Sequence, residues 1–136
     1  MEIITQSAKQ TQKLGEKIGR DVVGPKILCL YGDLGSGKTT FLQGLAKGLG
    51  IKKRITSPTF VFMKQYGFSF YHVDVYRLEM IKEAKDLGLE EIFKDSKAVV
   101  VIEWAERIKE ILPEKRVDIY FDYVSKNQRK INFPGR

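Results

Sequence analysis

Eight consecutive residues, Gly32-Asp33-Leu34-Gly35-Ser36-Gly37-Lys38-Thr39, constrain this chain more than any other feature of it. They fit the spacing G-x-x-x-x-G-K-[ST], which arises by chance in roughly one chain in two hundred of this size when glycine is about 7% of residues. The surroundings give the match its weight. Ile27 to Tyr31 is a short apolar strand ahead of it, and Thr39 to Leu49 behind it reads as a helix. That helix turns Phe41, Leu42, Leu45, Ala46 and Leu49 inward and stops at Gly50. A strand, a glycine-rich bend and a helix in this order bring backbone N–H groups to one centre. Gly35 and Gly37 permit the backbone conformations this requires, and the helix adds the positive end of its dipole.

Such a centre suits the phosphates of a nucleotide. Lys38 would bring a cation to the β- and γ-phosphates, and the Thr39 hydroxyl would bind Mg²⁺. The expected nucleotide-binding set is Asp33, Gly35, Ser36, Gly37, Lys38, Thr39 and Thr40. Within it Thr40 continues the first helical turn toward the α-phosphate, and Ser36 is small enough to be only a spacer. The expected ligand is ATP with Mg²⁺.

A loop of this kind needs a carboxylate near the metal, at the carboxyl end of a neighbouring strand. Glu103 follows Val99-Val100-Val101-Ile102, and Asp74 follows Phe70-Tyr71-His72-Val73. A buried acid is costly unless it meets a cation or a donor. Lys38, Asp74 and Glu103 are the expected catalytic residues, and Thr39, Asp74 and Glu103 the expected metal set. One acid would hold Mg²⁺ through water while the other positions the attacking water, and the sequence does not say which does which. A helix cap is the ordinary alternative for either.

Around these lie residues open to two readings. Ser57-Pro58-Thr59 is a stiff loop, because Pro58 fixes its own φ and restrains Ser57; it is either a switch-like element or a turn into a strand. His72, Tyr76 and Arg77 cluster around Asp74. His72 also suits a structural role, and Arg77 an ion pair with Asp74 or Glu79. Trp104 stands beside Glu103, either packed or at the rim of the site.

The rest of the chain bounds the answer. At 136 residues, 1–136 fits a single domain. Thr5 or Ser7 caps a first helix with the stripe Leu14, Ile18 and Val22, ending at Gly24-Pro25. Phe60 to Tyr66 and Phe68 to Val73 read as a hairpin around Gly67, followed by short helical pieces broken at Gly88. Ala98 to Ile102 is a strand buried on both faces. Trp104 to Leu112 is a helix stopped by Pro113. Val117 to Val124 and Lys130 to Phe133 are late strands at a sheet edge. This alternation predicts an α/β, three-layer P-loop NTPase domain with a mixed, mainly parallel sheet. Cys29, the only cysteine, excludes an internal disulfide and fits as a small buried residue. No apolar run approaches the roughly 20 residues of a membrane span, and no basic, then apolar, leader opens the chain. The expectation is a cytoplasmic protein with no membrane contact. A net charge of +7, concentrated at Lys52-Lys53-Arg54 and in the tail from Ser125 to Arg136, suits a polyanion or an acidic partner.

Taken together these segments resemble one family, the small bacterial ATPase of tRNA threonylcarbamoyladenosine biosynthesis of the TsaE or YjeE type. The resemblance rests on Gly32 to Thr40, Ser57-Pro58-Thr59-Phe60, His72-Val73-Asp74-Val75-Tyr76-Arg77-Leu78, Gly88-Leu89-Glu90-Glu91 and Ile102-Glu103-Trp104-Ala105-Glu106. It implies that Asp74 and Glu103 serve the Mg²⁺ site, and that Thr40, Ser57, Pro58, Thr59 and Trp104 are functional positions. It implies as partners a threonylcarbamoyltransferase and its paralogous companion subunit, with ATP hydrolysis resetting that complex. The basic clusters are then candidates for contact with tRNA. The chain is short for the family, with a basic tail soon after its last strand. Read from residues alone, a small nucleoside or nucleotide kinase and a nucleotide-gated binding module with incidental hydrolysis are the alternatives. A regulatory GTPase fits less well, because no Asn-Lys-x-Asp segment follows the loop. Arg54, Arg77 and Arg107 are the arginines weighed as aids to hydrolysis, yet none lies in a segment that the sequence places over the γ-phosphate. Slow hydrolysis by the chain alone, stimulated by partners, is the expectation.

Overall fold

The computed structural model describes residues 1–21, 26–33, 35–55, 63–67 and 69–134. Along the chain its elements are β1 (Glu2–Thr5), α1 (Ala8–Asp21), β2 (Lys26–Tyr31), α2 (Lys38–Gly48), β3 (Met63–Tyr66) and β4 (Phe70–Asp74). There follow α3 (Ile81–Asp86), α4 (Leu89–Phe93), β5 (Val99–Glu103), a 3-10 helix (Ala105–Ile111), β6 (Val117–Tyr123) and β7 (Arg129–Asn132). They group into two compact units. The described residues of one fall within 1–21, 31–55 and 118–134, and those of the other within 26–30 and 63–117.

In the second unit an unbroken apolar run decides the arrangement. A strand without polar alternation needs neighbours along both edges and cover on both faces, and all of β5 is buried. β2 runs parallel to it on one edge and β4 on the other. Removing an aliphatic side chain of this kind from water contributes about 1.5–3 kcal/mol. β3 returns antiparallel to β4 through Gly67, whose φ of 68° suits a residue without a Cβ. The expected hairpin and the mixed α/β sheet are therefore both present. Phe60 to Phe62 and Phe68, counted in those strands by sequence, lie outside the described residues.

In the first unit α1 packs on α2 at backbone distance. The expected stripe of Leu14 and Ile18 is not the buried one: Thr11, Gly15 and Gly19 are, while Leu14 and Ile18 are half-buried. Val22 lies outside the described residues. The cause is steric. A Cβ placed on Gly15 would sit 2.2 Å from the Phe41 carbonyl oxygen, and one on Gly44 would sit 1.9 Å from that of Gln12. Helices that approach this closely need hydrogen where other residues carry carbon. Ser7 is the cap, its Oγ accepting the Gln10 N–H at 3.1 Å. Thr5 instead ends β1, its hydroxyl 2.6 Å from that of Thr11.

Two further expectations are corrected. β7 is not an edge strand, because it pairs with β6 on one side and β1 on the other, with Ile131 opposite both Phe121 and Ile3. β1 is four residues long with Ile4 exposed, so its pattern alone does not announce a strand. The segment after β5 is a 3-10 helix bent at Ile108, not an α-helix beginning at Trp104. Trp104 takes the left-handed conformation, φ 61° and ψ 38°, which no α-helix accommodates. Cys29 is fully buried, as expected of a packing residue. Among the described residues no helix is long and apolar enough to cross a membrane.

Candidate functional site

The glycine-rich loop belongs to the first unit. Tyr31, at the end of β2, is held by its hydroxyl donating to Asp118 Oδ1 at 2.9 Å and by stacking on Tyr120 at 4.6 Å. Gly32, Gly35 and Gly37 all have positive φ, of 148°, 81° and 103°. A Cβ on Gly32 would meet the Phe121 carbonyl oxygen at 2.6 Å, so this glycine is required twice over. The Ser36 N–H donates to the Asp33 carbonyl at 3.1 Å and closes the bend. Gly37 then starts α2 without any side-chain cap. The first N–H groups of a helix have no partner inside it, and Gly37 at the capping position has no side chain to offer them.

Within this loop Asp33, Gly35 and Thr39 are exposed, Thr40 is half-buried, and Ser36 and Lys38 are buried. The Ser36 hydroxyl is enclosed with no hydrogen-bond partner among the described residues. Buried hydroxyls are nearly always satisfied, so an orphan at a glycine bend marks a place for something else to bind. An added Cβ on Gly35 would meet no atom within 4 Å, so open space lies beside the bend.

Sequence reasoning missed one residue here. Arg129, the first residue of β7, reaches back to the loop and donates from Nε to the Gly35 carbonyl at 3.1 Å. By sequence the basic tail suits a polyanion or an acidic partner; only the pairing of β7 brings this arginine to the loop.

The acidic residues stand in the second unit. Asp74 and Glu103 end adjacent parallel strands and are register partners. Directly opposed residues of parallel strands share a face, so both acids and His72 lie on one side of the sheet at one end. Glu103 is buried, and its Oε2 lies 2.7 Å from Nε2 of the buried His72. The tautomer that carries its proton on Nε2 donates it to this oxygen. His72 Nδ1 has no partner among the described residues. Asp74 is half-buried and its Oδ1 accepts the Tyr76 N–H at 2.9 Å, a local turn and not the helix cap given as its ordinary alternative, since α3 begins only at Ile81. β2 reaches the same end of the sheet, since Leu30 is the register partner of Glu103.

Trp104 follows Glu103 in a strained conformation, its left-handed φ of 61° being unusual for a bulky residue. Its ring lies 4.8 Å from that of Tyr76, and the Arg107 guanidinium sits 5.5 Å from the Tyr76 ring on its way to solvent. Strain of this kind persists where neighbours overdetermine it and concentrates at functional sites. Arg77 is exposed. Ser57, Pro58 and Thr59 lie outside the described residues.

Fold and loop together define a class: an α/β protein in which a G-x-x-x-x-G-K-T bend joins a central parallel strand to a helix. The family described as threonylcarbamoyl adenosine biosynthesis protein TsaE matches over residues 5–131. The tRNA threonylcarbamoyladenosine biosynthesis protein TsaE of Bacillus subtilis (strain 168) is 46% identical over 110 residues, covering 79% of this chain and 68% of that protein. The protein of the same name from Treponema pallidum (strain Nichols) is 39% identical over 96% of this chain and 98% of its own length. The crystal structure of Bacillus subtilis YdiB superposes with a TM-score of 0.79 at 34% identity, covering 98% of this chain and 83% of that one. The chain belongs to the TsaE family of threonylcarbamoyl adenosine biosynthesis proteins.

Proposed function

We propose that this chain binds ATP with Mg²⁺ and hydrolyses it as a subunit of the machinery that makes threonylcarbamoyladenosine in tRNA. The observation that carries the reading is the bend itself: three glycines at positive φ, an uncapped helix start and an enclosed Ser36 hydroxyl without a partner among the described residues. This is the donor set of an anion site, and it fits a triphosphate. Lys38 and the amides of the first helical turn hold the phosphates, with Asp33, Gly35, Ser36, Gly37 and Thr40 shaping the site. Thr39 holds the metal, assisted by Asp74 and Glu103. Bound Mg²⁺ supplies charge neutralisation on the phosphate oxygens. One or two carboxylates suffice for it, because Mg²⁺ keeps several waters. Glu103, held by His72, is the residue that orients the attacking water.

Hydrolysis resets a threonylcarbamoyltransferase and its companion subunit, rather than transferring phosphate to an acceptor. The positions Ser57, Pro58, Thr59, Tyr76, Arg77 and Trp104 report the nucleotide state to those partners. Direct contact with tRNA is supported by Lys47, Lys52, Lys53 and Arg54, which line an open cleft of about 650 Å³ with no acid among the described lining residues. Uncompensated cations around a cleft attract a polyanion.

The test is phosphate release from ATP by the chain alone and with the transferase pair and tRNA, alongside the yield of modified adenosine over several turnovers. The expected result is turnover well below the typical enzyme median of about 10 s⁻¹ for the chain alone, and strong stimulation by the complex. Lys38→Ala, which removes the phosphate cation, should abolish tight Mg-ATP binding and the stimulation with it. Fast turnover unchanged by partners, or phosphate appearing on an added acceptor, overturns the reading.

A further inference from the structure

Arg129 touches both inner glycines of the bend. Its Nε donates to the Gly35 carbonyl at 3.1 Å, and its Cγ and Cδ lie 3.3 and 3.8 Å from where a Cβ on Gly37 would stand. Its Nη1 shares two N–H donors among three carbonyls of the β6–β7 turn, those of Ser125 at 2.7 Å, Gln128 at 2.9 Å and Lys126 at 3.3 Å. The guanidinium also lies 4.7 Å from the centre of the Tyr123 ring. Holding so long a side chain in one conformation costs it most of its rotamer entropy. A surface arginine tied at this many points is a built feature.

What it holds is a peptide plane. The Gly35–Ser36 peptide is rigid, so fixing its two polar ends fixes its orientation. Ser36 N–H is tied to the Asp33 carbonyl at 3.1 Å, and Arg129 ties the oxygen on the opposite side. Gly35 is exposed and an added Cβ there would meet nothing within 4 Å, so among the described residues no side-chain packing holds the bend at Gly35 itself. Glycine has the most conformational freedom to lose, and a bend of glycines is ordered only by bonds to its backbone.

We propose that Arg129 is a positioning residue of the nucleotide site, which fixes the segment from Gly35 to Gly37 in its receiving shape before nucleotide arrives. The nucleotide part rests on the function proposed above; the ordering of the bend does not. Preorganisation of this kind raises affinity by removing an ordering cost from the binding step.

The experiment compares wild type, Arg129→Ala and Arg129→Lys in the full chain. It uses ¹⁵N relaxation of the Gly35, Ser36 and Gly37 amides, with calorimetric affinity for Mg-ATP. In wild type the three amides should show order parameters near the rigid value of about 0.85, and in R129A they should fall toward ~0.6 or below, with α1 and α2 unchanged. Loss of one hydrogen bond to a charged group corresponds to roughly tenfold weaker Mg-ATP binding. R129K keeps the charge and most of the stem but not the planar fork, and should follow R129A; it carries the test if R129A does not fold. Unchanged order and affinity in R129A overturn the proposal, as does full rescue by lysine, which would reduce the role to charge. If wild type takes up no Mg-nucleotide while R129A still loosens the bend, the function proposed above fails and the ordering role of Arg129 stands.

Discussion

The bend from Gly32 to Thr39 and the paired ends of β4 and β5 are specified in different ways. In the bend, backbone conformation does the work: three glycines at positive φ and a peptide plane tied on both sides. At the strand ends it is side chains, with His72, Asp74 and Glu103 set on one face by parallel register and two of them buried together. A site made of backbone is sensitive to shape and indifferent to much of its side-chain chemistry. A site made of side chains is sensitive to a single charge even when shape is kept. Substitutions that separate shape from charge therefore probe the two regions differently.

The largest effect belongs to Glu103→Gln. The amide keeps the volume and the contact with His72 but loses the negative charge, so the shape of the strand end should survive. Positioned general bases contribute about 10²–10⁴ in rate, and hydrolysis stimulated by the partner complex should fall by roughly a thousandfold. Affinity for Mg-ATP should move far less, because the proposed function assigns most of the phosphate donors to the bend. Single-turnover hydrolysis and calorimetry on the same preparation check this. Equal losses in both would mean that Glu103 serves binding and that the division between backbone and side-chain chemistry is wrong.

How far the sequence could be read follows the same division. The bend was legible because its chemistry is local: a fixed spacing of glycines and a lysine between a strand and a helix. β5 and the acid ending it were legible because a fully buried strand needs no alternation. The β3–β4 hairpin was legible from its aromatic strands around Gly67. Illegible were features decided by distant partners. β1 is a strand only because β7 pairs with it, so neither β1 nor the interior position of β7 shows in local pattern. Arg129 reads as one more tail cation until that pairing carries it to Gly35. The buried face of α1 is illegible in the pattern because large apolar residues do not mark it, the contact with α2 being made through glycines. Trp104 was extended into a helix because nothing in the sequence signals a bulky residue in the left-handed region.

Glycines also separate the two kinds of shape requirement within one unit. Gly44→Ala should cost about 3 kcal/mol, the upper part of the usual range for overpacking, because the new methyl group would lie 1.9 Å from the Gln12 carbonyl oxygen and must push α1 away. Gly35→Ala meets no atom within 4 Å and carries only the conformational penalty of its φ of 81°, about 1–2 kcal/mol. Urea unfolding at constant slope reads both. A Gly44→Ala variant as stable as Gly35→Ala would show that the helix contact relaxes freely, contrary to a backbone-on-backbone fit.

The smallest effect is that of His72→Phe, and it asks whether the carboxylate site needs more than its carboxylates. Phenyl is somewhat larger than imidazole and the buried Glu103 loses its donor, so a urea midpoint confirms that the variant is folded before activity is compared. What is lost is the N–H that Glu103 Oε2 accepts at 2.7 Å. Without it the buried carboxylate is less firmly aimed, and loss of such an orienting partner typically costs about 10–100-fold in activity. Partner-stimulated hydrolysis should fall near the lower end of that range, with Mg-ATP affinity unchanged. The decisive comparison is the double variant. If His72 acts through Glu103, adding His72→Phe to Glu103→Gln should cost nothing further, since the charge it aims is already gone. Additive losses would mean that the imidazole acts on its own account, and that its unsatisfied nitrogen has a ligand to find.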